Sequence, residues 1–238
     1  MSAPHHRAEA HRGAVAIVMA ILATAAGACS LHRSGGYANI DLDLIVPDSF
    51  VVHFETSRGA FDVLARKAWA PNGADRLYTL VRDRYYDDAR FFRVVKDFVA
   101  QFGIAADPRR TAAWRLRAIA DEPVRHTNSR GTLSYARSGP GTRTTQLYIN
   151  LKDNARLDTT NTFGFPPVGE VIAGMSVVDS LYSGYGDAAR GGGRGQAPVQ
   201  DSINRQGNAY LIRAFPKLDY VKSARVTREW HAPDASGR

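Results

Sequence analysis

The residues FFRVVKDFVAQFG, 91–103, carry the strongest structural signal in this chain. Two apolar runs, 91–95 and 98–102, flank a polar Lys-Asp pair. Runs rich in aromatic and β-branched residues are typical of strands, so the pattern predicts two short strands with a break between them. Because side chains alternate along a strand, Arg93 and Gln101 would meet beside an aromatic ring if both strands face one groove. Taken alone, Arg93 is equally consistent with the solvent face of a half-buried strand, since an unpaired buried charge is costly.

Four further motifs follow in order, and with the first stretch they identify a family. They are GTLSYAR at 131–137, TQLYIN at 145–150, LD at 157–158 and GEVIAGM at 169–175. Together with Phe91, Arg93, Phe98, Gln101 and Gly103, these residues resemble the cyclophilins, the peptidyl-prolyl cis-trans isomerases. The resemblance covers roughly residues 49 to 183, with a closing strand near 220 to 228. It implies a mainly β fold, a closed eight-stranded antiparallel barrel capped by two α-helices.

The resemblance also implies which residues form the site. Arg93 would be the catalytic guanidinium, and Gln101 would orient it. The residues that would form a slot for the proline ring are Phe98, Val99, Tyr148 and Leu157. Gln146 would contact the substrate backbone, while Ala136 and Arg137 would bind the residue before the proline.

The chain departs from the common family pattern at four positions in or beside this site. Phe92 stands in place of a frequent histidine, Val99 of a methionine, Arg137 of an asparagine and Arg156 of a tryptophan. Arg156 is still counted among the substrate-binding residues, but loss of the indole argues against strong cyclosporin binding. The arginine and the slot are retained, so activity is still expected.

Prolyl isomerisation requires neither a metal nor a cofactor. The barrier of ~18–20 kcal/mol comes from amide resonance, so it can be lowered by a donor aimed at the prolyl nitrogen and a slot for the ring. We therefore expect an isomerase that acts on proline-containing polypeptides of the cell envelope and assists their folding. We also expect it to be a monomer. One alternative is a non-catalytic module that holds proline-containing chains in the same groove. Another is a basic domain that binds nucleic acid or cell-wall polymer, which predicts strongly salt-dependent binding.

The charge pattern disfavours nucleic-acid binding. The net charge of +8 is spread over single arginines, and only Arg109-Arg110 forms an adjacent arginine pair. No basic helix or basic-aromatic stripe accompanies this charge, so a solvated basic surface is the simpler interpretation.

The amino terminus predicts export. Residues 1–28 combine a basic start, an apolar run at 14–28 that is short for a membrane span, and the small-residue ending Ala-Gly-Ala, a pattern typical of a secretory signal peptide. The only cysteine of the chain, Cys29, follows directly and resembles a bacterial lipidation site. Ordinary cleavage beside a chance cysteine is the alternative, and a membrane contact is expected only through this lipid.

The remaining chain divides into a tether at 29–47, an isomerase domain at 48–230 and a flexible tail at 231–238. Alternating Leu42, Leu44 and Val46 suggest that the tether docks on the domain. Within the domain, residues 184–200 are rich in glycine but lack the strand, helix and Gly-Lys-Ser/Thr ending of a phosphate loop. They are expected to form a flexible surface loop, of which residues 186–196 should be mobile and dispensable for catalysis.

Overall fold

The computed structural model of the chain describes residues 44–160, 163–187 and 196–231. Eight strands form one antiparallel sheet in the order β3-β4-β6-β5-β7-β2-β1-β8. The strands are β1 (Ser49–Thr56), β2 (Gly59–Arg66), β3 (Arg93–Val95), β4 (Val99–Phe102), β5 (Thr132–Tyr135), β6 (Leu147–Asn150), β7 (Pro167–Ala173) and β8 (Val221–Trp230). The β-rich runs at 50–56 and 60–64, joined by Ser-Arg-Gly, predict a hairpin, which is confirmed as β1 and β2. The two predicted strands of the central stretch are confirmed as β3 and β4.

The prediction of a closed barrel is wrong. The two edge strands, β3 and β8, share no ladder, and the sheet is a half-barrel. The chain segments that precede them meet at one isolated bridge, Arg90 opposite Tyr220, with Phe91 N–H donating to Asp219 O at 2.9 Å. Among the described strands, β3 pairs only with β4 and β8 only with β1, so the sheet stays open here.

The helices also differ from the expected pair. Within the described residues the α-helices are α1 (Pro71–Arg82), α2 (Pro108–Arg115), α3 (Met175–Asp179), α4 (Gln200–Gln206) and α5 (Asn208–Ala214). A short 3-10 helix spans Ala155–Asp158. The sequence predicts a helix that begins at Pro71, a short one that begins at Ser176 and another over 208–215, which are confirmed as α1, α3 and α5. Helix α4 was not expected. Its polar sequence, QDSINRQ, shows little apolar periodicity, because only Ile203 is buried.

The main core lies between α1 and the concave face of the sheet. Helix α1 begins with a proline at its first turn, where a missing N–H costs nothing, and buries Ala74, Leu77 and Val81 against the sheet. Phe50, Phe54 and Phe102 pack in the same cluster. From the tether, Leu44 and Val46 pack against this core, so its predicted docking is confirmed for these two residues.

A second, smaller core brings the region after α3 against the edge of the sheet. Phe92, Ile104, Ile203, Leu211 and Leu218 are buried together, with Tyr185, Tyr210 and Phe215 packed around them. Helices α4 and α5 supply Ile203 and Leu211, while Phe92 directly precedes β3. Helices α4 and α5 therefore pack against the residue that precedes β3, the strand that carries Arg93.

Several predictions concern residues that lie outside this description. They are the signal peptide at 1–28, Cys29, most of the tether and all but the first residue of the tail. Among the described residues, no helix combines the length and the hydropathy that crossing a membrane requires.

Candidate active site

Strand pairing places Arg93 directly opposite Gln101. The two residues are partners in the β3–β4 register, and Arg93 Nη1 donates to Gln101 Oε1 at 3.1 Å. Gln101 Nε2 in turn donates to Gln146 Oε1 at 2.9 Å. The guanidinium lies over the ring of Phe98, 5.5 Å from its centroid. The predicted meeting of a guanidinium and a carboxamide beside an aromatic ring is thus confirmed.

Gly103 explains why the glycine of the motif is needed. Its φ of +97° is in the left-handed region, and a Cβ there would lie 2.6 Å from the carbonyl oxygen of Thr145. This close approach brings the end of β4 against the segment that carries Gln146. A side chain at 103 would therefore push apart the Gln101 and Gln146 pair.

An apolar slot separate from the main core lies next to Arg93. Val99, Tyr148 and Leu157 are buried together, and Phe98, Ala136 and Phe165 pack around them. Val99 and Tyr148 lie on the paired strands β4 and β6, and Leu157 comes from the 3-10 helix. The groove that they line encloses about 540 Å³ and has Arg93 and Gln101 in its wall. A cavity lined by apolar side chains with a few polar groups is the usual form of a small-ligand site.

A buried asparagine fixes the far side of the slot. The Asn128 side-chain oxygen accepts from the Tyr148 hydroxyl at 3.0 Å and from Ser134 at 3.1 Å. Its side-chain nitrogen donates to Asp158 at 2.8 Å and to the Phe165 carbonyl at 2.9 Å. Asn128 therefore ties together the strand, the 3-10 helix and the loop that form the slot.

Two pKa shifts follow from these contacts. Burial raises the pKa of the Tyr148 hydroxyl above its ordinary value, so it stays a neutral donor. Burial alone would raise the pKa of Asp158 as well, but hydrogen bonds from Thr127 and Asn128 outweigh it and lower that pKa. Asp158 therefore stays an acceptor at neutral pH.

The structure brings the predicted site residues together with one exception. Those lining the groove are Arg93, Phe98, Val99, Gln101, Ala136, Arg137, Gln146, Tyr148 and Leu157. Arg156 does not line it; its guanidinium lies at the rim, 4.8 Å from the centroid of the Phe98 ring. The Arg156 guanidinium therefore lies against the ring of a slot residue. The role of Arg156 in substrate binding stays a prediction.

Arg137 is placed differently from a simple binding residue. Its side chain is only 1% exposed, with Nη1 3.5 Å from Asp121 and the guanidinium over the rings of Phe165 and Phe163. It lines the groove from beneath these aromatic rings. Its predicted contact with the residue before the proline remains untested.

Sequence reasoning missed seven groove residues, which are Ser138, Thr142, Thr144, Thr160, Phe165, Asp187 and Gln200. Phe165 could have been suspected, because it is an aromatic residue in the insertion that follows the LD motif. Asp187 and Gln200 gave no signal, yet Asp187 forms an ion pair with Arg93, and Gln146 Nε2 donates to Gln200 at 3.1 Å. Residues 184–200 therefore supply two side chains to the groove, while the dispensability of 186–196 for catalysis stays a prediction.

Within residues 44–160, 163–187 and 196–231, no group of three or more His, Cys, Asp or Glu could hold a metal ion.

Comparison with known proteins identifies the family. The model described as cyclophilin type peptidyl-prolyl cis-trans isomerase/CLD matches residues 51–205, well over half of the chain. The chain belongs to the cyclophilin family. It is accordingly a peptidyl-prolyl cis-trans isomerase by homology, and the family predicted from its motifs is confirmed.

Curated relatives agree with this assignment. A cyclophilin-family member of Streptomyces antibioticus, the peptidyl-prolyl cis-trans isomerase cyp18, is 32% identical over 159 residues, which cover 64% of this chain and 93% of the relative. The peptidyl-prolyl cis-trans isomerase ppi1 of Schizosaccharomyces pombe is 33% identical over 133 residues, covering 53% of this chain and 81% of that protein.

Solved structures show the same fold. A cyclophilin type peptidyl-prolyl cis-trans isomerase of Cryptosporidium parvum superposes with a TM-score of 0.55 at 18% identity, covering 76% of this chain and 99% of that one. A second crystal structure of that protein, determined in the presence of the dipeptide Ala-Pro, gives a TM-score of 0.53 at 17% identity. At such low identity the likeness concerns the fold alone.

Proposed function

We propose that this cyclophilin catalyses rotation about X-Pro bonds of exported polypeptides, with Arg93 as the hydrogen-bond donor, and thereby assists their folding. The observation that carries the proposal is the position of the Arg93–Gln101 pair at the edge of an apolar slot. The slot suits a proline ring, and the guanidinium next to it supplies donors that stay charged at any relevant pH.

The chemistry needs only these two elements. Rotation is slow because resonance gives the amide bond double-bond character, with a barrier of ~18–20 kcal/mol. A donor that hydrogen-bonds the prolyl nitrogen favours its pyramidal form, in which this resonance is lost. Lowering the barrier by about 7 kcal/mol would accelerate rotation by roughly 10⁵. Arg93 would bind the twisted amide more strongly than the planar one, and that difference is what produces catalysis.

The apolar slot would supply the other half of the binding energy. Val99, Tyr148 and Leu157 are held by the sheet and the 3-10 helix, so the slot exists before substrate arrives. Gln146 is hydrogen-bonded to Gln101 and Gln200, and it lines the groove beside the slot. From there its carboxamide would form a hydrogen bond with the substrate backbone. We propose this contact as the one that sets the direction of the bound chain.

The purified domain together with the tether residues that pack on it, residues 44–231, is expected to accelerate cis-to-trans conversion of a prolyl tetrapeptide in a protease-coupled assay. Direct NMR exchange measurements on a proline peptide check the rate without a protease. The matched control is the same domain after thermal unfolding. A folded domain that binds the peptide without accelerating rotation would instead be a proline-binding module, and the proposed catalysis would be refuted.

We propose in addition that the enzyme works outside the cytoplasm, in the cell envelope. The support is the amino-terminal pattern at 1–28 followed by Cys29. The lone cysteine fits lipid attachment better than a fold-stabilising bridge, since a disulfide within the chain needs a second cysteine. Two acyl chains or more would be required for stable anchoring, because a single chain binds membranes only marginally.

Full-length protein expressed in a bacterial host with a lipoprotein pathway is expected to begin at Cys29 and to carry acyl chains. Intact-mass analysis of the membrane fraction checks both points, with Cys29→Ser as the matched control that can be exported but not acylated. Retention of Met1 would contradict export. A processed chain with a free Cys29 thiol would contradict lipidation and leave export standing.

A further inference from the structure

Asp187 forms a bidentate ion pair with the proposed catalytic arginine. Its two carboxylate oxygens accept from Arg93 Nε at 2.6 Å and from Nη2 at 2.9 Å. The Arg93 side chain is 15% exposed and that of Asp187 is 40% exposed. Two parallel, charge-assisted hydrogen bonds in this fork arrangement fix the plane of a guanidinium as well as its position.

The backbone around Asp187 is held in place by the second core. Two residues earlier, the Tyr185 ring packs edge-on against Phe215, with centroids 5.1 Å apart, and belongs to the cluster built by α4 and α5. The backbone oxygen of Asp187 accepts from the Ala197 N–H at 3.2 Å, so a backbone hydrogen bond joins two positions within the Gly-rich residues 184–200. The carboxylate is therefore presented to Arg93 by anchored structure.

The same core holds the strand that carries Arg93. Phe92, which stands where the family often has a histidine, is buried among Ile203 and Leu211 of these helices. Because Phe92 and Arg93 are neighbours, one contact surface fixes both members of the ion pair. Phe92 and helices α4 and α5 therefore belong to the same buried cluster.

We propose that Asp187 is a positioning residue for isomerisation, acting with Gln101 to hold the Arg93 guanidinium from two sides. Arginine has five N–H donors. Gln101 takes one on Nη1, and Asp187 takes the Nε donor and one on Nη2. One N–H on each terminal nitrogen then has no partner among the residues that the structure describes. These two donors share the guanidinium plane that the two partners define.

The ion pair has a second consequence, for the charge of the groove. With Asp187 in place, the positive charge of Arg93 is largely balanced, so small anions gain little by binding beside the slot. Without it, a half-buried guanidinium would attract phosphate, for which its planar fork is well suited. Asp187 therefore keeps Arg93 available to an uncharged amide. The inference rests on the proposed function, since it concerns the donor of that reaction.

The test compares Asp187→Ala and Asp187→Asn with wild type, and uses Asp201→Ala as the matched control. Asp201 is an exposed carboxylate in the same added region and does not line the groove. We expect Asp187→Ala to lower kcat/KM about tenfold, the equivalent of one lost hydrogen bond to a charged group. Asp187→Asn keeps one acceptor oxygen and should lose only about threefold. Proline-peptide affinity and Tm should change little, because the slot is untouched.

Two measurements separate positioning from a merely structural role. Inorganic phosphate, at ionic strength matched with NaCl, should inhibit Asp187→Ala but not wild type or Asp201→Ala. The Arg93 Nε–H resonance, assigned by its loss in Arg93→Ala, should exchange with water faster in Asp187→Ala than in wild type.

The results can refute the positioning role of Asp187 separately from the proposed isomerase activity. An inactive wild-type domain would refute the proposed function. An active wild type with unchanged or higher kcat/KM in Asp187→Ala would refute the positioning role alone. A loss of activity that follows a loss of Tm, or that Asp201→Ala reproduces, would also refute it.

Discussion

Replacing Arg93 by alanine is expected to lower kcat/KM by about 10²–10³, the effect of removing one preorganised donor that acts in the transition state. The donor is placed by the register opposite Gln101 and by the ion pair with Asp187. Its hydrogen bond to the prolyl nitrogen forms only when the amide is twisted. The loss should therefore appear in the rate constant of rotation, measured by NMR exchange or the coupled assay.

Ground-state binding should be affected far less than the rate. The apolar slot of Val99, Tyr148 and Leu157 remains, so affinity for a proline peptide should fall by less than about threefold. Stability should hold as well, because the Asp187 side chain is 40% exposed and exposed ion pairs contribute little to stability. Peptide titration and thermal unfolding of the same preparation check these two points.

Two variants control this experiment. Arg93→Lys should not restore the rate, since an ammonium lacks the planar fork that bonds two partners at once. Arg130→Ala removes another ion-paired arginine, which contacts Asp179 at 2.7 Å outside the groove, and should leave kcat/KM unchanged. Full activity of a folded Arg93→Ala variant would refute the mechanism.

Among the variants proposed for this protein, Glu122→Ala is expected to lower the free energy of unfolding the most. One oxygen accepts from the Asn72 N–H at 2.9 Å and the other from the Gly73 N–H at 3.0 Å, at the amino terminus of α1. The residue that precedes α1, Ala70, has no side chain to cap it. Glu122 therefore satisfies donors that a helix end otherwise leaves unpaired.

The same carboxylate neutralises a fully buried arginine. Arg143 is 0% exposed, and its Nη1 lies 3.0 Å from Glu122. Glu122→Ala would leave this cation with a hydrogen bond to the Ala120 carbonyl and a longer approach to the Asp121 carboxylate, at 3.6 Å. We expect the free energy of unfolding to fall by about 3–5 kcal/mol, which corresponds to roughly 2–4 °C in Tm for each kcal/mol. Urea and thermal unfolding measure both quantities.

Glu170→Ala is the matched control for Glu122→Ala. Glu170 pairs with Arg66 at 3.2 Å, but both side chains are more than a third exposed, so its loss should cost less than about 1 kcal/mol. The double variant Glu122→Ala/Arg143→Met should lose less stability than the two single changes added together, because it leaves no unpaired buried charge. Equal effects of Glu122→Ala and Glu170→Ala would contradict this account.

Local patterns were enough to predict much of the fold. The hairpin of β1 and β2 follows from two β-rich runs around a short polar turn, and α1 from a proline followed by apolar residues at helical spacing. Alternation in 146–151 predicts that Leu147, Ile149 and Leu151 face the core, which is confirmed. It also places Gln146, Tyr148 and Asn150 on the groove face, which is correct for the first two, whereas Asn150 is buried and donates to Asn128 and Thr132. These predictions succeed because the signal lies within a few residues.

Closure of the barrel and the number of helices were not predictable in the same way. Whether β3 pairs with β8 depends on the length of β3 and on the path of residues 88–92, which the apolar run alone does not specify. Helix α4 has one buried residue, so its stability comes from packing on the second core and not from its own pattern.

The sequence by itself determined the family, the proposed donor Arg93, its partner Gln101 and most of the slot. The family and these roles follow from the resemblance of the motifs to the cyclophilins, and strand alternation accounts for the meeting of Arg93 with Gln101. Only the tertiary structure decided that Asp187 reaches Arg93, 94 positions away, and that Glu122 caps a helix 50 positions earlier. Such contacts are set by how packed elements meet, and a side chain shows no local sign of a partner that is distant in sequence.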